Sequence, residues 1–220
     1  IPFKKYQNTI MSKIALILSG HIEKLQDNII EFIHNNDCDV YIHTWNTEEN
    51  KRWLGKLRGV DTNIEVQDLS ELPKKFSILH STYRAVNLIK DLEEYDLIIK
   101  GKPDLDIDSI AFDSNVKQYY NEAYRHTYPL LKGVKYSDCI FGRILHETID
   151  ERFFSAHPLV FKKLFRILYN KYIDNIYSLD KVLIKKYGDQ YEGSILWTEL
   201  IKQQEIKLIQ DLTLKIPNCI

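Results

Sequence analysis

The chain is short of cysteine, which excludes a fold held by disulfides. Its 220 residues include three, Cys38, Cys139 and Cys219, an odd number without metal-type spacing, as expected of free thiols in a reducing compartment. An excess of charge is lacking too. Thirty basic residues face 31 acidic ones, so no overall field recruits nucleic acid or an anionic membrane. No apolar run approaches the roughly 20 residues that span a bilayer, which predicts no transmembrane segment, and the first residues lack the apolar core and cleavage site of a signal peptide. Internal repeats, low-complexity tracts and Gly/Ser linkers are also missing, which leaves one α/β domain as the economical reading. A chain of this length buries about 70% of the surface its unfolded form exposes, enough for a core without staples. Met11-Ser12-Lys13 stands directly before the first apolar run. Residues 1–11 are therefore read as an N-terminal extension or vector remnant, and 12–220 as the domain, the first of a longer protein if more follows.

What is present is an alternation of strand and helix patterns. Ile14-Ala15-Leu16-Ile17-Leu18 is continuously apolar, as suits a central parallel strand buried on both faces. It ends at Ser19-Gly20-His21, where small residues let backbone approach a ligand. Leu25, Ile29, Ile30, Phe32 and Ile33 then recur at helical spacing. Asp39 to His43 predicts a second strand running into Thr44-Trp45-Asn46, and strand, helix and strand make a right-handed βαβ unit. Residues 47–73 read as a charged helix or long connection with a weak strand at Ile64-Glu65-Val66. From Ser77 the apolar positions Ile78, Leu79, Tyr83, Ala85, Val86, Leu88, Ile89 and Leu92 predict an amphipathic helix. A strand is expected within Tyr136 to Gly142, and another at Phe153 to Ala156. Pro158 suits the first turn of a helix carrying Val160, Phe161, Leu164, Phe165, Leu168 and Tyr172 on one face. A stretch from Leu179 to Tyr187 ends at Gly188, the last helix spans Gly193 to Gln204, and Ile206 to Ile209 closes as a strand.

The stretch with most chemistry is Leu97-Ile98-Ile99-Lys100-Gly101-Lys102-Pro103-Asp104-Leu105-Asp106-Ile107-Asp108. An apolar strand discharges into acids at its carboxyl end, which is where open α/β sheets bind ligands. Residues two apart in extended chain share a side, so Asp104, Asp106 and Asp108 can present three carboxylates together. At about 4 Å two such charges repel by roughly 4 kcal/mol at an effective dielectric of about 20. The cluster needs water, a basic neighbour or a divalent cation. Solvated turn formers or helix caps are the competing structural reading.

Several separated stretches occur together in order: the first strand with Ser19-Gly20, His43-Thr44-Trp45-Asn46, Lys102-Pro103-Asp104-Leu105-Asp106, Asp150-Glu151-Arg152-Phe153-Phe154 and Tyr191-Glu192-Gly193-Ser194-Ile195-Leu196. In this the chain resembles nucleotide-sugar-dependent glycosyltransferases of the GT-A fold, of the group found in large DNA viruses and bacterial surface-polysaccharide loci. The resemblance covers about residues 12 to 210. It implies a Rossmann-type, mostly parallel sheet flanked by helices, and transfer of a hexose from a nucleoside diphosphate sugar, a UDP-sugar by expectation, to a hydroxyl of a glycan or lipid-linked acceptor. It implies that Asp104 and Asp106 fill an Asp-x-Asp role on Mn²⁺ or Mg²⁺, with Asp108 a third possible ligand. Both ions favour oxygen donors and are commonly held by one or two carboxylates plus substrate phosphates. A cytoplasmic location is expected, that of the host if the protein is viral. Two departures stand out: Lys102 occupies a place usually held by arginine, without its bidentate fork, and His21 follows Ser-Gly where relatives carry a polar or basic residue.

The remaining donor-site candidates are Ser19, Gly20 and His21 at the first turn, His43 and Trp45 at the second strand's exit, and Ser81, Tyr83 and Arg84 on the helix after Ser77. Lys102, Asp104 and Glu192 complete that set. Asp150 and Glu151 are the candidates for activating the acceptor hydroxyl, the resemblance favouring Asp150; salt-bridging of this pair to Arg152 is the alternative. His157 before Pro158 reads as a helix cap. Three other classes compete. A haloacid-dehalogenase-like phosphatase would place its nucleophile after the first strand, where this chain has Ser-Gly. A metal-dependent nuclease would need an acid-x-Lys pair soon after Asp108. A carbohydrate-binding module would suit the aromatic run from Tyr119 to Tyr128.

Overall fold

The computed structural model of the chain describes residues 13–22, 27–36, 38–57, 60–68, 73–103 and 138–210. Within them lie β1 (Ile14–Ser19), β2 (Cys38–Trp45), β3 (Thr62–Gln67), β4 (Leu97–Gly101), β5 (Cys139–Leu145), β6 (Thr148–Ala156) and β7 (Lys207–Gln210). They form one sheet in the order β3-β2-β1-β4-β6-β5-β7. The pairs β1–β2, β2–β3, β1–β4 and β5–β7 are parallel, and β6 alone reverses, antiparallel to both β4 and β5. This is the mostly parallel α/β sheet flanked by helices that was expected.

Every residue of β1 and β4 is buried, because a parallel sheet is covered on both faces. Side chains alternate between two cores. Ala15, Ile17, Tyr41 and Ile98 face α3 (Lys74–Leu88), α4 (Pro158–Phe165), α5 (Tyr169–Tyr187) and α6 (Gly193–Gln203). Leu16, Leu18, Val40, Ile42 and Ile99 face the other way, onto Ile29, Phe32 and Ile33 of α1 (Asp27–Asn36). A short helix, α2 (Glu48–Leu54), follows β2, capped by the Thr47 side chain accepting from Asn50 N–H.

Two helix boundaries differ from the sequence pattern. The apolar spacing continues to Leu92, yet α3 stops at Leu88: Ile89 is extended, and Leu92–Glu94 forms a separate 3₁₀ turn capped by Asp91. The spacing from Val160 to Tyr172 reads as one helix, but the chain breaks between α4 and α5, leaving Leu168 82% exposed. The cause is tertiary. At the break the Arg166 guanidinium donates to Ile89 O, and Tyr83 Oη donates to Ile167 O at 2.9 Å. α5 ends as expected at Gly188, whose φ of +86° is open to glycine.

From β1 the chain passes through α1 to β2 on one side. From β3 it returns through α3, on the opposite face, to β4 on β1's other side. The strand order therefore reverses between β1 and β4, and the crevice outside their carboxyl ends is where such sheets take ligands.

Candidate functional site at the carboxyl edge of the sheet

Leu18 pairs with Gly101 and Ser19 with His43, so the Ser19-Gly20 turn emerges beside the end of β4. Gly20 has φ +110°, and among the described residues outside its chain neighbours no atom lies within 4 Å of where a Cβ would stand. Glycine is needed there for its backbone, and the described residues leave the space above it open. The turn is clamped by side chains. Ser81 Oγ accepts from Gly20 N–H at 2.8 Å, Thr44 Oγ1 donates to Gly20 O at 2.8 Å, and Ser19 Oγ lies 2.8 Å from Thr82 Oγ1.

Behind the turn, two imidazoles share one amide oxygen. His43 Nε2 and His80 Nε2 stand 3.1 and 3.2 Å from Gln67 Oε1. His43 Nδ1 lies 2.8 Å from Ser81 Oγ, which donates to His43 O at 2.9 Å. Burial lowers the pKa of both histidines, that of His80 to about 4, with the charges of His43 and Arg84 adding to the effect at His80. Both rings are thus neutral at pH 7.

Trp45 stacks on His80 at 5.8 Å and 12°, meets His43 edge-on at 5.3 Å, and has the exposed His21 ring 6.3 Å away. It is 1% exposed, and its indole N–H has no partner among the described residues. A buried donor left unpaired is costly. Asn50 ties the neighbouring loops, accepting from Ile22 N–H at 3.0 Å and donating to Trp45 O at 2.7 Å.

On the other side of the crevice β4 brings Lys100, fully buried, whose ammonium donates to Glu151 O, and then Lys102, whose N–H donates to Arg152 O at 2.8 Å. Here β6 bulges. Gly142 pairs with Phe154 and Ile144 with Ile149, so Arg143 alone stands opposite the four residues from Asp150 to Phe153. Such bulges re-aim side chains. Asp150, 6% exposed, accepts from Arg152 Nε at 2.8 Å, Nη2 at 2.6 Å and N–H at 3.1 Å. Burial alone would raise its pKa, but the hydrogen bonds and charge of Arg152, with Lys100 nearby, outweigh that and lower it. Asp150 is a weak base held on a guanidinium. Glu151 has no side-chain hydrogen bond or ion pair among the described residues.

The edge therefore gathers Ser19, Gly20, His21, His43 and Trp45 on one side of the crevice, and Lys102, Asp150 and Glu151 on the other. Tyr83 is placed elsewhere. It is 5% exposed, stacks on Tyr172 at 4.2 Å and sits in the core under α5. Arg84, one residue further along α3, forks onto Glu65 of β3. Glu192 is exposed at the N-terminus of α6, within 3.3 Å of Ser194 Oγ. His157 is the N-cap of α4, accepting from Leu159 N–H. Asp104, Asp106 and Asp108 lie outside the described residues, as does the Tyr119 to Tyr128 run. Among the described residues no three His, Cys, Asp or Glu converge as a metal site, and no helix is long and apolar enough to cross a membrane. Sequence reasoning missed Gln67 and His80, whereas the Asp150–Arg152 fork is the salt-bridged alternative it named. The His80-Ser81-Thr82 run of polar residues inside an apolar helix was the available signal for His80.

No family model matches the chain, and no curated protein matches it in sequence. Among solved structures it is similar to the glycosyltransferase GlyE of Streptococcus pneumoniae TIGR4, at 7% identity and a TM-score of 0.49, over 90% of this chain and 45% of that one. It is also similar to mouse xyloside xylosyltransferase 1 in its apo form, at 10% identity and a TM-score of 0.44, over 90% and 84% of the two chains. The chain spans less than half the length of GlyE. Likeness at this level carries no argument, and function has to be read from the chain's own residues.

Proposed function

We propose that this chain is a glycosyltransferase that moves a hexose from a nucleoside diphosphate sugar, a UDP-sugar by preference, to a hydroxyl of a glycan or lipid-linked acceptor. The observation that carries the reading is the meeting of two strand ends at the reversal point of the sheet. The open Ser19-Gly20 turn leaves β1 beside the place where β4 leads through Lys102 towards Asp104-Leu105-Asp106. In this reading the nucleoside lies over the Gly20 turn, beside the exposed His21 ring, with buried Trp45 packed behind it. Lys102 and the clamped Arg152 bring positive charge to the diphosphate side of the crevice. Asp104 and Asp106, with Asp108 as a third candidate, would hold Mn²⁺ or Mg²⁺, which would stabilise the charge of the departing diphosphate. Asp150 holds Arg152 in place, and Glu151, whose side chain is unengaged among the described residues, is the carboxylate offered to an acceptor hydroxyl. A phosphatase nucleophile is not provided at the end of β1, where Ser19 is fully buried and bonded to Thr82.

The test is a thermal-shift panel of nucleotide sugars with and without Mn²⁺. A donor at 100 times its dissociation constant stabilises the fold by about 2.7 kcal/mol, a readily measured shift. Asp106→Ala is expected to abolish the metal-dependent part of the shift while leaving the melting point of the free protein unchanged. The proposal fails if no nucleotide sugar shifts the wild type in either metal.

A further inference from the structure

A second concavity lies beyond the crevice, where the β5–β6 hairpin leans on α5 and α6. It is a cleft of about 140 Å³ lined by His146, Glu147, Thr148, Tyr187, Ile195, Thr198, Glu199 and Lys202. Pockets for drug-sized ligands run from about 300 to 1,000 Å³, so this one is matched to a single ring. Its walls combine an aromatic, Tyr187, 47% exposed and with the Lys186 ammonium over one part of its ring, with two carboxylates, an ammonium and an imidazole. Glu199 and Lys202 stand 3.4 Å apart on α6. The acids and the histidine do not converge as an ion's ligand set. They are spread around the cleft, an arrangement that suits several hydroxyls of one polar ring stacked on tyrosine.

The backbone makes the same point independently. Leu145 pairs with Thr148, which leaves His146 and Glu147 as a two-residue hairpin loop. Both are left-handed, with φ of 48° and 67°. That turn strongly favours Asn-Gly or Asp-Gly, and side-chain-bearing residues there are held at a cost in stability. His146 and Glu147, the costly pair, are both among the residues that line the cleft. The cleft is also tied to the crevice. Ile149 N–H donates to Thr198 Oγ1 at 2.9 Å, and two residues after the lining Thr148 comes Asp150, at most about 7 Å along the strand.

We infer that this cleft is a monosaccharide subsite, the place where the terminal sugar of the acceptor docks beside Glu151. The inference rests on the transferase reading, and the experiment separates the two. Methyl glycosides of glucose, galactose, xylose and N-acetylglucosamine are offered to the protein, with and without UDP and Mn²⁺, and observed by saturation-transfer NMR. At least one glycoside binds the wild type. The double variant His146→Asn/Glu147→Gly, which installs the favoured turn, raises the urea midpoint but weakens that glycoside at least tenfold. Tyr187→Ala, at an exposed helix end, does the same to binding without the gain in stability. UDP binding is unchanged in both. Absence of saturation transfer from every glycoside, or full retention of binding in both variants, overturns the subsite. If UDP still binds in that case, the transferase reading survives. Glycoside binding that the variants abolish, in a protein that no nucleotide sugar stabilises, keeps the subsite and removes the transferase.

Discussion

His80 makes the stability of this fold depend on pH in a calculable way. The ring is 1% exposed, stacked on Trp45 and bonded to Gln67, with its pKa lowered to about 4. In the unfolded chain a histidine titrates near 6.5. The folded value lies below the unfolded one, so the stabilising contribution is fully present above about pH 6.5. It is lost as the pH falls towards 4, because the unfolded state takes up the proton first. Integrating the proton difference gives a loss of roughly 2 kcal/mol between pH 7 and pH 5, and of roughly 3 kcal/mol by pH 4. His43 shifts in the same direction and adds to the slope, while Glu65 opposes it at both rings. The variant His80→Phe keeps a flat ring over Trp45 and removes one titration. It loses about 1 kcal/mol at pH 7 with the hydrogen bond to Gln67. The assay is urea unfolding of both proteins at pH 7, 6 and 5. The wild type is expected to lose at least 2 kcal/mol over that range, and the variant about 2 kcal/mol less than the wild type. Parallel pH dependence in the two proteins would refute the burial of a neutral His80.

Two further outcomes follow from the crevice. Gly20→Ala places a Cβ where no described residue outside its chain neighbours comes within 4 Å, but on a backbone at φ +110°, so it costs about 1–3 kcal/mol through the backbone. At about 2–4 °C per kcal/mol for a chain of this size, the melting point in a thermal scan drops by several degrees. Asp150→Asn keeps an acceptor for Arg152 N–H and Nε but removes the charge from a buried pair. Breaking such pairs costs about 3–5 kcal/mol, and the part-exposed guanidinium brings the expected loss to about 2 kcal/mol. In a cycle with Arg152→Gln the two losses should fall short of additivity by at least about 1 kcal/mol, measured by urea unfolding at pH 7. In a transfer assay Asp150→Asn retains more activity than Glu151→Gln.

The central strands were legible because burial on both faces writes itself as an unbroken apolar run, as in Ile14 to Leu18 and Leu97 to Ile99. β3 showed only weakly since it is an edge strand, with Ile64 and Val66 40% and 39% exposed. The break between α4 and α5 was hidden because nothing local causes it. Arg166 and Tyr83 make it by reaching across the fold. Periodicity likewise marked Tyr83 as a helix position without telling that its hydroxyl is spent on Ile167, far from the crevice. The site was legible as strand exits but not as a network. Gln67 lies on β3 and His80 on α3, and their convergence on His43 is a product of strand order. The Asp150–Arg152 fork was legible as an alternative because the two residues are neighbours in sequence, but its place at the bulge in β6 is a product of pairing with β5.

The distribution of buried polar groups ties these points together. Among the described residues Ser19, His43, Thr44, Asn50, His80, Ser81 and Thr82 are all 1% exposed or less, and all are joined by hydrogen bonds around the ends of β1 and β2. Lys100 and Asp150 sit across the crevice, where β4 meets the bulge. A core gains little stability from such groups, since apolar replacements of similar shape are often as stable or more so. A fully satisfied network does fix geometry. The opposite, amino edge of the same strands carries a network of another kind: Tyr41 and Tyr95 Oη lie 2.7 Å apart, Tyr95 Oη donates to Asp39 at 2.6 Å, and Lys13 pairs with Asp39 and Glu94, all three charges about half exposed. Stability alone gives no reason for the fully buried polar groups to gather at one end of the sheet. A requirement for rigid, polar-backed turns at the crevice does, and beside that network the Trp45 indole N–H has no acceptor among the described residues.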